Sequence, residues 1–169
     1  KQLNELAEVD YEEVMKYKFA VLKKLYTAMG AETLASEDFK DFFKGNKHWL
    51  EPFAAFCHFR DQYGTAEFSK WPTHAVYNKS ESDKICAPKS VHFKSIGFYY
   101  FNQYHLHLQL KEASDYAHKK GIVLKGDIPI GISPNSCDAW VSPEMYNMCW
   151  QAGARPDDFT AVGQNWGFP

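Results

Sequence analysis

The sequence predicts a mainly α-helical chain with one buried strand. Two observations carry this expectation. Apolar residues recur at spacings of three and four in a series of bounded segments. The last of these runs through Gly121 straight into an apolar, β-branched stretch at 122–130. A helix feeding directly into such a strand is the α-to-β step of a βαβ unit.

The first helix is expected at 10–29. Asp10 can cap it, with Glu13 completing a capping box. Val14, Tyr17, Val21, Leu22 and Leu25 form its apolar stripe, and Gly30 is placed to stop it. A second helix starts at Ser36, turns Phe39, Phe42 and Phe43 inward and ends at Gly45-Asn46. A third spans 48–63, with Leu50, Phe53, Phe56, Cys57 and Phe59 on its apolar face and Gly64 as its cap. Pro52 falls in its first turn, where a missing N–H is tolerated. Residues 64–94 read as irregular, with turn signals at Trp71-Pro72, 78–82 and Ala87-Pro88 and a mobile polar stretch at 79–84. A long helix follows at 95–120, where Phe98, Phe101, Tyr104, Leu108, Ala113 and Ala117 recur at helical spacing until Gly121 ends it.

The strand poses a problem of partners. Residues 122–130 have the near-continuous apolar character of a parallel strand buried on both faces. Buried backbone N–H and C=O groups must be paired, and no second segment here has strand quality. The rest of the sheet is therefore expected from sequence outside this chain. Left alone, the strand either pairs with another copy or is displaced. Lys1 opens within a polar helical pattern and Pro169 closes an apolar motif, so both ends read as cuts.

Bulk properties exclude several function classes. The net charge is −2 and the pI about 6.4, which leaves no electrostatic footprint for nucleic acid or an anionic membrane. No apolar run approaches the ~20 residues of a membrane span. Aromatic residues make up 17 % of the chain, among them five Trp and ten Tyr; most are expected in the core, and the same rings suit sugar faces. Cys57, Cys86, Cys137 and Cys149 form no metal-ligand spacing, and free thiols point to a reducing cytoplasm. No cofactor is expected. His105 and His107 lie about 200° apart on a helix, so they do not share a metal ion. Ser136 lacks the Gly-x-Ser-x-Gly setting of a hydrolase nucleophile, and Cys137 has no base near it in sequence.

The residues that carry chemistry come after the strand. Gly126-Asp127-Ile128-Pro129 ends it. Asn135-Ser136-Cys137-Asp138-Ala139-Trp140 makes a first polar loop. Asp157 and the closing run Gly163-Gln164-Asn165-Trp166-Gly167-Phe168-Pro169 make a second. Taken in this order, GD-x-P, NS-x-D-x-W, PD-x-F and GQNWGFP resemble the 4-α-glucanotransferase family, the amylomaltases or disproportionating enzymes. Further likeness lies in Asp10-Tyr11-Glu12, in the run from Trp49 to Cys57 and in the run from Phe98 to His107. Many bacterial members have Asp where this chain has Asn135, and the plant-like branch has Asn. The chain departs from the family's Pro-Pro-Asp with Arg155-Pro156-Asp157, and Asp158 stands where an aromatic follows.

The resemblance implies a fragment of a (β/α)8 barrel with its helical insertion subdomain. Residues 1–94 would be the insertion and a connecting loop, 95–130 a barrel helix and the third barrel strand, and 131–169 active-site loops, all within one larger catalytic domain. A complete barrel needs roughly 250 residues, more than the 169 here. It also implies transfer of α-1,4-glucan segments between maltooligosaccharides and glycogen-like acceptors by a retaining mechanism, with an Asp nucleophile and a Glu acid. Neither carboxylate falls within this chain, so no residue is catalytic. His58-Phe59-Arg60-Asp61 resembles the nucleophile's Arg-x-Asp pattern, but it lies on a helix of the insertion.

The implied substrate-binding residues are Asn135, Asp138, Trp140, Asp157, Gln164 and Trp166, with Asp127 at the strand end facing the active site. Alternatives stay open for several. Asp127 and Asp138 can instead serve local turns, and Trp140 and Trp166 can instead be core rings. A non-catalytic α-glucan-binding module and a helical interaction domain are the alternative functions.

Overall fold

The computed structural model describes residues 2–169, with side chains from residue 3 onward; Lys1 lies outside the described residues. After a 3-10 turn at Gln2–Glu5 come α1 (Tyr11–Ala35), α2 (Glu37–Tyr63), α3 (Lys79–Cys86) and α4 (Phe93–Lys119). A single-turn helix, α5 (Cys137–Val141), and a two-residue antiparallel pair, β1 (Gly153–Ala154) with β2 (Gln164–Asn165), follow. The mainly helical expectation holds.

Local signals placed the start of α1, both ends of α2 and the end of α4. The Asp10 side chain accepts from the Glu13 N–H at 3.0 Å, although the Glu13 carboxylate pairs with Lys16 and does not reach back to complete the box. Ser36 closes α1 and opens α2, accepting from the Phe39 N–H at 3.2 Å. Gly64 (φ 71°) and Gly121 (φ 74°) end α2 and α4 in the left-handed conformation that a β-carbon disfavours.

Four expectations are corrected. Gly30 does not stop α1; it lies buried inside the helix beneath the Tyr26 ring. Gly45-Asn46 does not break α2, so the expected second and third helices are one, and Pro52 sits in its interior. Residues 79–84 belong to α3, which Asn78 caps by accepting from the Glu81 N–H at 3.1 Å. The buried face of α1 is also rotated from the expected stripe. Phe19, Leu22, Tyr26 and Leu34 pack on the core, whereas Tyr17, Val21 and Leu25 are exposed.

The core is aromatic. Tyr26 of α1 meets Phe98 and Phe101 of α4 at 5.7 and 5.6 Å between ring centroids. Phe39, Phe42 and Phe43 of α2 meet Tyr104 and Tyr100 of α4 at 5.1–5.6 Å. Such pairs contribute about 0.5–1.5 kcal/mol each beyond area burial. Gly97 permits the close approach of α1 to α4, since a β-carbon there would collide with the Tyr26 hydroxyl. Arg60 and Asp61 tie α2 to α4: the Arg60 guanidinium donates to Asp61 at 2.8 Å and to the Tyr99 hydroxyl at 3.0 Å, and that hydroxyl donates to Asp61.

His58 sits in the same α2–α4 seam. Its Nδ1 lies 3.1 Å from Ser95 Oγ, its ring is 4.8 Å from that of His92, and its Nε2 is buried with no partner among the described residues. Burial, followed by repulsion from His92, lowers its pKa from the usual 6.5; Asp61 opposes this and His74 adds to it. The folded state thus holds His58 neutral while the unfolded chain still takes up a proton. The stabilising contribution is complete above about pH 6.5 and is lost as pH falls through the lowered folded value. We expect the denaturant midpoint to drop more between pH 7.5 and pH 5 in the wild-type chain than in His58→Gln. Equal drops would assign the acid sensitivity to other groups.

The buried strand is also corrected. Residues 122–130 are extended but carry no ladder, and Ile122, Val123, Leu124, Ile128 and Ile130 are all exposed. No described segment runs beside them to complete the hydrogen bonds. The second half of α4 is exposed too, including Leu106, Leu108, Leu110 and Tyr116, because the aromatic core ends at Tyr104.

Candidate functional site

The first polar loop is organised by α5. The Ser136 side chain caps it, accepting from the Ala139 N–H at 3.2 Å. Asp138 is therefore not the cap, and its side chain faces solvent from the first turn. Asn135, just before the cap, is exposed as well. Trp140 points the other way.

Trp140 is corrected from the substrate-binding group to the core. It is 2 % exposed, and the rings of Phe56, Phe59, Trp71 and Tyr77 surround it at 4.9–6.0 Å. Its indole N–H donates to the His74 carbonyl at 2.8 Å. With both ring faces covered, it offers no platform to a sugar. Cys137 beside it is also inward-facing, and burial pushes its thiol up to about 12, which leaves no thiolate near neutral pH.

The second loop is a hairpin. Gly153 pairs with Asn165 and Ala154 with Gln164. The Ala152 N–H donates to the Phe168 carbonyl at 2.8 Å, and the Trp166 N–H to the Ala152 carbonyl at 2.9 Å. Asp157 shapes the tip by accepting from the N–H groups of Phe159 and Thr160 through Oδ1, at 2.9 and 2.7 Å. Gln164 Nε2 lies 3.5 Å from Thr160 Oγ1, and Gln164 Oε1 accepts the Trp166 indole N–H at 2.9 Å. The chain Asp157–Thr160–Gln164–Trp166 thus brings three of the sequence-assigned residues into one strip. Trp166 rests on Phe168 at 6.0 Å and remains 42 % exposed. A flat ring held by its N–H beside exposed carboxylate and amide groups can pack on a sugar face while its neighbours bind hydroxyls.

Asp127 is exposed in the extended segment. That segment meets the hairpin at Gly131, where a β-carbon would run into the Phe168 ring. No described contact joins Asn135 or Asp138 to the hairpin strip. Sequence reasoning missed Thr160 and Asn165. Asn165 clamps the hairpin, donating to Gln151 Oε1 at 2.6 Å and accepting the Gly167 N–H at 2.9 Å. Thr160, three residues after Asp157, had the spacing of an Asx motif and was legible on that ground.

An apolar cleft of about 1050 Å³ lies elsewhere, between the helices, lined by Tyr26, Leu34, Phe39, Phe43, Glu51 and Tyr100 among others. None of the loop residues belongs to it. Among the described residues no three His, Cys, Asp or Glu side chains are grouped to hold a metal ion, and no helix is long and apolar enough to cross a membrane.

Comparison with known proteins agrees over the whole length. Residues 1–169 match the family described as 4-alpha-glucanotransferase. The chain is 43 % identical over 169 residues to the 4-alpha-glucanotransferase DPE2 of Oryza sativa subsp. japonica, covering 100 % of this chain and 18 % of that protein. It is 34 % identical over 169 residues to the 4-alpha-glucanotransferase of Chlamydia muridarum, covering 99 % of this chain and 31 % of that one. The amylomaltase from Streptococcus agalactiae in complex with acarbose superposes with a TM-score of 0.79 at 28 % identity, over 95 % of this chain and 33 % of that one. The chain therefore spans between about a fifth and a third of the length of these relatives. Matched along its full length, it belongs to the 4-alpha-glucanotransferase family.

Proposed function

We propose that this chain is the glucan-binding part of a 4-α-glucanotransferase that moves α-1,4-glucan segments between maltooligosaccharides and glycogen-like acceptors. The observation that carries the reading is the strip Asp157–Gln164–Trp166, held on a hairpin with the indole face open, in a chain that matches the family throughout. Asn135 and Asp138 add hydroxyl ligands from the α5 loop, and Asp127 marks the strand end. The Streptococcus amylomaltase was solved with acarbose, which supports a glucan-like ligand here.

Residues 95–130 are a barrel helix and the third strand of a (β/α)8 barrel, the strand being 122–130; residues 1–94 are the helical insertion with its connecting loop. The support is their exposed apolar character, which suits pairing with a sheet that these residues do not themselves provide. In the isolated chain the same edge favours pairing with a second copy. The reacting carboxylates come from outside residues 1–169. In the retaining reaction an Asp oxygen bonds to the anomeric carbon as the glycosidic C–O bond breaks, and a Glu gives its proton to the departing glucan. An acceptor hydroxyl then attacks, the ester breaks, and the Glu recovers a proton. The free thiols suit a cytoplasmic setting.

The test is disproportionation by the full-length protein. With maltotriose as sole substrate, glucose and maltopentaose are expected while the number of reducing ends stays constant. A rise in reducing ends would indicate hydrolysis. No change in the sugars would remove the transferase reading.

A further inference from the structure

Trp140 is buried, yet it belongs to the same single-turn helix as Asp138. On α5 these two residues lie about 200° apart, so one faces the bundle while the other faces solvent. Before the helix, residues 122–130 are exposed and without a ladder, and the chain meets the hairpin at Gly131, beside Phe168. The firm attachment is the Trp140 socket. Phe56 and Phe59 come from α2, and Trp71 and Tyr77 come from the connection between α2 and α3. The same connection supplies the acceptor of the indole N–H, the carbonyl of His74.

That acceptor is itself held in place. His74 is the one non-glycine residue with a left-handed backbone among those described, at φ 67°. Its ring stacks on Phe59 at 4.0 Å between centroids, and its Nδ1 lies 3.2 Å from the Tyr63 hydroxyl and 2.9 Å from Thr73 Oγ1. A backbone conformation of this kind persists only where its surroundings over-determine it. The carbonyl is thus aimed by α2 through Phe59 and Tyr63, and Trp140 reads that aim through one directional bond.

We infer that Trp140 is a positioning residue: it fastens the Asn135–Asp138 loop to the helical insertion, so that the insertion sets where these two side chains meet glucan. The inference rests on the proposed glucan-binding role of that loop. It also gives the insertion a task, as the fixed platform for one wall of the binding site.

The test uses the full-length protein. Trp140→Phe keeps a ring in the socket and deletes the N–H bond. Phe42→Leu serves as control, because Phe42 lies in the same core but 14 residues before the socket residue Phe56 on α2, about 21 Å along the helix. Both are measured well below their melting temperatures. In Trp140→Phe we expect faster amide hydrogen exchange at 133–139 and a KM for maltotriose raised roughly threefold or more with kcat little changed, the pattern of lost ground-state binding. The control is expected to move neither. A Trp140→Phe variant that shifts exchange and KM no more than the control overturns the inference. Should Trp140→Phe fail to fold, Tyr77→Leu loosens the same socket and keeps the indole bond, and the same comparison applies. If the wild-type protein transfers no glucan, the transferase reading fails by itself, and the exchange comparison alone decides whether Trp140 anchors the loop.

Discussion

Trp166→Ala in the full-length protein should lower kcat/KM for glucan transfer about ten- to a hundredfold, a loss of about 1.4–2.8 kcal/mol in transition-state binding. The ring is 42 % exposed, it rests on Phe168, and a single bond to Gln164 orients it. Removing it leaves little cavity, so the melting temperature should hardly move, as for other surface substitutions. Trp166→Phe separates the two roles. It keeps a stacking face but frees Gln164 Oε1, so it should retain more activity than the alanine variant and still fall short of wild type. Transfer kinetics on maltotriose and one thermal melt check both. Unaltered kinetics in the alanine variant would remove Trp166 from the glucan site.

Phe59→Ala should destabilise the chain by about 3–5 kcal/mol, the usual cost of deleting a buried aromatic ring. Phe59 is 2 % exposed and its ring touches His58, Tyr63, Trp71, His74 and Trp140, at centroid distances from 4.0 to 6.2 Å. It joins α2 to the connection and to α5 at once, so the socket cannot collapse around the void without moving three segments. Against a typical total of about 5–15 kcal/mol this is a large fraction. Urea denaturation of wild type and variant measures it. A difference under about 1 kcal/mol would mean that the cluster repacks freely.

The signals that could be read from sequence were those whose partners lie within one turn. Asp10, Ser36, Gly64 and Gly121 acted where their spacing put them, because a cap and its N–H or carbonyl are three or four residues apart. Gly30 and Gly45 looked like helix stops and Pro52 like a first-turn residue, and each lies inside a helix. An interior Gly costs about 1 kcal/mol and an interior Pro about 3. Such costs are outweighed when the flanking faces bury rings such as Phe39, Phe42, Phe56 and Phe59. In the site, the polar types at Asp157, Gln164 and Trp166 were legible. Their assembly was not, since it needs the pairing of Gly153–Ala154 with Gln164–Asn165, ten residues away.

The amino-acid order alone was enough for the helical character, the caps at Asp10, Ser36, Gly64 and Gly121, the family, and which residues after Gly121 carry polar and aromatic chemistry. Only the tertiary structure decided what each of those residues faces. Trp140 and Trp166 are the same residue type in similar polar runs, and one closes a core while the other opens to solvent. Residues 122–130 have a strand's composition and no strand's ladder. The physical reason is common to both. Helix caps and periodicity are satisfied by near neighbours, whereas ring burial and strand pairing depend on partners far along the chain, or beyond it.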